Sequence, residues 1–178
     1  MKLQVGAIKE KATSLVSEEP VKVYPALLAA QEAGECRFVA PITAKLSVER
    51  EYDHIRAHGE VSATVGLTCS RCLADFTQEL HTSFTIFYEP ASVGPQDEEV
   101  ELSEEDLVSI PYEGDEIDFT PEIVAQIITE IPYKPLCREE CKGLCASCGV
   151  DLNVSQCTCD KGALSLKFSA LKDFKVDK

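Results

Sequence analysis

The sequence is short of positive charge, of histidine and of long apolar runs. Across 178 residues, 17 Lys and Arg stand against 31 Asp and Glu, a formal net charge of −14. That balance excludes the simplest nucleic-acid reading, in which a basic surface neutralises phosphates. No run approaches the roughly 20 apolar residues a membrane-spanning helix requires. The opening MKLQVGAIKEKATSLVSEEP holds no apolar run of signal-peptide length. A soluble, cytoplasmic protein with no membrane partner is therefore expected. Enzyme signatures are also scarce: no P-loop, G-x-G-x-x-G, H-E-x-x-H or G-x-S-x-G pattern occurs. Ser169-Ala-Leu-Lys172 spells S-x-x-K, but its companion motifs are missing and it falls in a terminal amphipathic stretch.

What is present is a globular balance, 44% hydrophobic and 27% charged, at a length close to one domain. The acidity is concentrated. Residues 91–136 hold 13 acidic and 1 basic side chains, whereas residues 1–90 hold 12 and 9. PQDEEVELSEED, at 95–106, reads as a solvated linker, or as a docking strip for a basic partner such as a ribosomal protein.

The first half alternates with period two. Phe38, Ala40, Ile42, Ala44, Leu46 and Val48 form one series, and Ile55, Ala57, Gly59, Val61, Ala63, Val65 and Leu67 a second. Phe84, Ile86 and Tyr88 resume it. This predicts antiparallel strands covered on one face, with Cys69-Ser-Arg-Cys72 at a hairpin tip. VYPALLAAQEAG, at 23–34, fits either a short strand or a short helix. In DFTPEIVAQIITEIP, Thr120 is the expected N-cap, Pro121 suits the first helical position and Glu122 the positive helix end. Ile123, Ile127 and Ile131, with Val124 and Ile128, make its apolar face, and Pro132 ends it. Leu164, Phe168 and Leu171 predict a short terminal helix. The expected class is α+β: an antiparallel β-rich body with one or two helices and a small C-terminal Cys-rich metal knuckle. Its segments are 1–94, 95–136 and 137–178, forming one compact domain.

Nine cysteines stand in the chain, six of them between 137 and 159 with spacing C-x3-C-x3-C-x2-C-x8-C-x-C. Cytosolic thiols are kept reduced, so clustering on this scale points to metal rather than to disulfides. Cys145 and Cys148, followed by Gly149, have the composition of a metal knuckle. A tetrahedral Zn2+ needs two more thiolates, from Cys157 and Cys159 or from Cys137 and Cys141. The first pair is favoured, because the eight-residue spacer makes a small ribbon and residues i and i+2 share a side. Six thiolates could also hold two ions by sharing sulfurs. The alternatives are free or redox-active thiols, or an iron–sulfur cluster. His54, His58 and His81 lie far away in sequence, which favours a closed structural site over a catalytic one. Cys69 and Cys72 admit three readings: a second knuckle completed from the tail, a redox pair, or a structural turn. Arg71, between them, would either touch phosphate or lie exposed.

TCSRCLADF, EIDFTPEIVAQIITEIPYKPLC, CKGLCASCGVDLN and CTC together resemble the YceD-type family of large ribosomal RNA accumulation proteins, over roughly residues 60–178. KFSALKDF departs from the D-P-R-like start of the last helix common in that family. The resemblance implies a role in accumulation of large-subunit ribosomal RNA and in ribosome assembly, with no catalytic activity. Members lacking the tail cysteines keep the middle pair, which implies that Cys69, Arg71 and Cys72 matter independently of the tail. The expected partners are basic ribosomal proteins or the assembling large subunit, with bare RNA disfavoured by charge. A thiol–disulfide oxidoreductase using Cys69 and Cys72, and a zinc-delivery protein, are the competing functions.

Overall fold

The computed structural model describes residues 1–52, 54–91 and 109–159. The acidic run at 95–106, the S-x-x-K at 169–172 and the helix expected around Leu164, Phe168 and Leu171 lie outside them. The chain divides into two compact units, Met1–Leu67 with Thr77–Tyr133, and Thr68–Phe76 with Lys134–Lys178. It is strand-rich, with two α-helices among the described residues.

The first unit is built on a mixed sheet. Strands β2 (Thr13–Glu19), β3 (Arg37–Phe38), β4 (Ile42–Glu51), β5 (His54–Thr68), β6 (Asp75–Pro90) and β7 (Ser109–Tyr112) form it, in the order β2-β4-β5-β6-β7, with β3 also on β5. Alternation explains the register. Ile42, Ala44, Leu46 and Val48 of β4, and Ile55, Ala57, Val61, Ala63 and Val65 of β5, are all buried on the core side. Leu46 pairs with Gly59. A side chain at 59 would run into the Phe84 ring and lie 2.8 Å from Leu46 Cδ2, so glycine there makes room for the aromatic residue. β4 turns into β5 through two residues, where Tyr52 takes φ +54.

One edge departs from the antiparallel expectation. β7 runs parallel to β6, Tyr88 opposite Ile110. Parallel pairing requires a crossover of about a dozen residues or more, and 91–108 supply that length. A separate two-stranded ladder joins β1 (Lys2–Gln4) to β8 (Glu116–Asp118), where Lys2 Nζ meets Glu116 Oε1 at 2.9 Å.

The segment 23–34 resolves as a helix, α1 (Pro25–Glu32), which buries Leu27. The second helix, α2 (Thr120–Glu130), buries Ile123 and Ile127, each contributing about 1.5–3 kcal/mol by leaving water. Val124 and Ile131 pack partly against the same core. Ile128 does not: it is 45% exposed, on the outer side of that stripe. Thr120 is not the N-cap either. Phe119 takes that position, with no side-chain cap of its own, and the Asp118 carboxylate accepts the Thr120 N–H at 3.0 Å. Phe119 is fully buried and meets Tyr88 edge-on, with ring centroids 5.4 Å apart.

Among its described residues the second unit has little regular structure. Its buried cluster is Cys69, Cys72 and Cys141, with Phe76, Leu136, Cys137 and Leu144 packed around it. A segment this small rarely folds on apolar burial alone and needs a covalent or metal staple.

Candidate metal centre

The first knuckle is the tip between β5 and β6. Cys69 N donates to Ala74 O at 2.9 Å, and Leu73 N donates to Cys69 O at 2.9 Å, closing a turn that aims both sulfurs the same way. The chain returns at Lys134. Ser70 N donates to Pro135 O at 2.8 Å, and Cys141 N to Arg138 O at 3.1 Å. These bonds set Cys137 Sγ 3.7 Å from Cys72 Sγ and Cys141 Sγ 3.8 Å from Cys69 Sγ. All four sulfurs lie within 4.8 Å of one another. A tetrahedral ion with metal–sulfur bonds of about 2.3 Å sets its sulfurs about 3.8 Å apart, the spacing found here. Disulfides are bonded at about 2 Å, and all nine cysteines are free.

The second knuckle repeats the first. Cys145 N donates to Val150 O at 2.8 Å, and Gly149 N to Cys145 O at 2.8 Å. Cys157 and Cys159 reach it from an irregular segment, and the four sulfurs again lie within 4.8 Å of one another. The six tail cysteines thus fall into two groups sharing no sulfur. Cys137 and Cys141 join Cys69 and Cys72, and Cys145 and Cys148 join Cys157 and Cys159.

The electrostatics of the two groups are alike. The backbone N–H groups of Cys137, Cys72 and Arg71 point at Cys69 sulfur and hold its thiol down at about 6 against the effect of burial. The Cys148 and Ser147 N–H groups do the same for Cys145, also about 6. Burial and three neighbouring thiols push Cys137 up to about 12; the Cys148 thiol and burial push Cys159 up to about 12. Four thiols this close oppose one another's ionisation, which a divalent cation among them would offset. Sulfur-only sets of four are the donor chemistry of zinc or of iron–sulfur clusters, so each group could hold one such centre.

Residues between the ligand candidates brace the groups. Arg71 is exposed, and its Nη1 donates to Cys141 O at 2.9 Å and to Glu139 O at 3.2 Å. Leu144 N donates to Arg71 O at 3.0 Å. Three bracing residues carried no role in the sequence reading. Gly143 has φ +73, and a Cβ there would lie 2.9 Å from Arg71 O. Asn153 Nδ2 donates to Cys141 Sγ at 3.4 Å, while its Oδ1 accepts the Lys142 N–H at 2.9 Å. Asp151 Oδ1 accepts from Asn153 N and Nδ2 at 2.8 and 2.7 Å, fixing the amide's orientation. The only sequence signal for the pair was their place in the run GVDLN.

The histidines belong to the first unit. His54 stacks edge-on against Phe87 at 5.2 Å, His58 Nδ1 lies 3.1 Å from Thr85 Oγ1, and His81 Nε2 lies 3.4 Å from Glu79 Oε2. Among the described residues no helix is long and apolar enough to cross a membrane.

Comparison with known proteins adds a family. The family described as large ribosomal RNA subunit accumulation protein YceD matches residues 57–175, a span that contains all eight clustered cysteines. A chloroplastic YCED homolog 1 of Zea mays, named as a large ribosomal RNA subunit accumulation protein, is 29% identical over 67% of this chain and 48% of its own length. Its Arabidopsis thaliana namesake is 27% identical over 68% and 44%. An uncharacterised protein of Mycobacterium leprae is 32% identical over 65% and 51%. The chain spans about half the length of these curated relatives. No solved structure matches it. By that match, which covers well over half of its residues, the chain belongs to the YceD family of large ribosomal RNA subunit accumulation proteins.

Proposed function

We propose that this protein is a non-enzymatic factor that supports accumulation of large-subunit ribosomal RNA during ribosome assembly. In this reading, two closed four-cysteine zinc sites hold its second unit in shape. The observation that carries it is the family match spanning both four-sulfur groups. Sulfur-only sets of four fit structural zinc, since a catalytic ion keeps an open position and usually recruits histidine or a carboxylate. Cys69, Cys72, Cys137 and Cys141 form one set, and Cys145, Cys148, Cys157 and Cys159 the other. The partner class is a basic protein of the large subunit, because a net charge of −14 repels phosphate and attracts cationic surfaces.

Depleting the protein in its own host tests the cellular role. Large-subunit ribosomal RNA should fall relative to small-subunit RNA; an unchanged ratio overturns the reading. Elemental analysis with a thiol count on native protein tests the metal. Two zinc ions per chain are expected, and disulfides without metal would refute it. The oxidoreductase alternative draws on the depressed Cys69 thiol beside Cys72. It requires fast alkylation at Cys69 in the native protein, whereas metal-held sulfur resists alkylation until a chelator is added.

A further inference from the structure

The six-stranded sheet of the first unit ends in two edges of opposite character. β7 closes one with four residues, and Pro111 within it removes a backbone donor. β2 closes the other with seven residues, Thr13–Glu19, free of proline and glycine. Its register with β4 runs without a bulge, from Thr13 opposite Val48 to Glu19 opposite Ile42. Among the described residues nothing bonds the backbone groups on its far side. Bulges, prolines and lysines are the usual guards of an open edge, and β2 has none of them. Its side chains are open as well: Val16 is 70% exposed on the outer face, and Leu15 is only half-buried on the core face.

We infer that β2 is a self-association edge, where a second copy of this chain adds its own β2 antiparallel and continues the sheet across a two-fold axis. The register follows from the strand itself. Antiparallel pairing that uses all seven residues of both strands places Val16 on the axis, against its own counterpart. In that register Glu18 faces Ser14, Glu19 faces Thr13, and Leu15 faces Ser17 with the other Leu15 on the diagonal. Core-side residues meet core-side residues, and no carboxylate faces a carboxylate. Sliding the strands toward the acidic end brings Glu18 against Val16 and then against itself, so the fully paired register is also the electrostatically tolerated one. The strand is its own complement, which selects a second copy over an unrelated extended segment. The inference stands apart from the ribosomal reading.

Sedimentation of the full chain from about 1 µM to about 500 µM, at roughly 150 mM salt to screen its net charge, should show a monomer–dimer equilibrium. Val16→Glu places its carboxylate across from Lys45 within one copy, which spares the fold, but sets two carboxylates face to face on the axis. It should weaken the dimer at least about tenfold while leaving the thermal midpoint of the dilute protein unchanged. Val16→Lys should weaken it likewise, Val16→Thr should associate close to wild type, and equal amounts of the Glu and Lys variants should associate again when mixed. Amide exchange across Thr13–Glu19 should slow with concentration in wild type and not in Val16→Glu. A wild type that stays monomeric throughout overturns the inference, as does a dimer that both charged variants leave intact. Slowing of these amides only on addition of basic protein from purified large ribosomal subunits would assign the edge to that partner and also refute it.

Discussion

The two four-sulfur groups differ in how the chain assembles them. The first joins residues far apart in sequence: Cys72 and Cys137 are 65 positions apart, Cys69 and Cys141 72. Its sulfurs are sheltered, with Cys69, Cys72 and Cys141 at 0%, 8% and 3% exposure. The second is closed within residues 145–159, and its Cys148 is exposed. Closing a long loop removes more entropy than closing a short one, so an ion in the first group would hold the second unit together. An ion in the second group would order only a local ribbon.

Removing one ligand from each group measures that difference most directly. Cys69→Ser should lose at least one metal equivalent and lower the thermal midpoint by roughly 10 °C or more, as expected when a structural metal is withdrawn from a small unit. Cys148→Ser should lose one equivalent with a clearly smaller drop. Elemental analysis and calorimetry read both quantities, and equal drops would erase the hierarchy.

Metal removal sharpens the same contrast kinetically. A chelator at neutral pH should strip the protein in two phases, the second group first because Cys148 is open to solvent. Cys148→Ser should eliminate the fast phase. The pH dependence has one sign for both groups. Every ligand must lose its proton, and Cys137 and Cys159 are held up at about 12, the first by burial and the second by the Cys148 thiol. Protons therefore compete with metal, and lowering the pH from about 8 to about 6 should accelerate both phases. A phase that slowed on acidification would contradict thiolate ligation.

Two glycines separate strain from collision. Gly143 and Gly149 both have φ +73, so alanine carries a backbone penalty of about 1 kcal/mol at either. At Gly149 nothing lies within 4 Å of the added Cβ; at Gly143 the Arg71 carbonyl is 2.9 Å away. Denaturant titration should find Gly143→Ala less stable than Gly149→Ala by about 1–2 kcal/mol, with the excess falling on the first group's metal affinity.

The legibility of the sequence followed the range of each interaction. Alternation through Ile42–Val48 and Ile55–Leu67 was readable because period two is a local signature of one covered face. Ile123 and Ile127 were readable for the same reason at helical spacing, whereas Ile128, on the margin of that stripe, faces outward. Thr120 is the first helical residue and not the cap: Asp118, two residues earlier, accepts its N–H, and its hydroxyl accepts from the Met1 amino group. The pairing of β1 with β8 left no trace because it joins two three-residue strands distant in sequence, and the parallel β6–β7 edge left none because β7 has only four residues. The cysteines obey the same rule. Cys157 and Cys159 follow their knuckle closely enough for spacing to suggest the grouping. Nothing local to Cys137 or Cys141 names the hairpin tip as the segment they meet.

Asn153 gives the smallest expected effect and the finest test of the contrast, because its side chain runs from the second knuckle's ribbon back to the first group's sulfur. Its amide donates to Cys141 Sγ at 3.4 Å and its carbonyl accepts the Lys142 N–H at 2.9 Å. Burial would raise the Cys141 thiol, yet the Asn153 amide and the Gly143 N–H hold it below its ordinary value. Asn153→Ala removes these two bonds together with the one to Asp151 and should destabilise the second unit by about 1–2 kcal/mol. Asn153→Asp retains an oxygen for Lys142 N–H but replaces the donor to sulfur with a carboxylate. Opposing Cys141 ionisation, it should make metal release from the first group faster and steeper with falling pH while leaving the second group's phase unchanged. If both substitutions slow or speed the two phases together, Asn153 acts on the whole ribbon and not on Cys141.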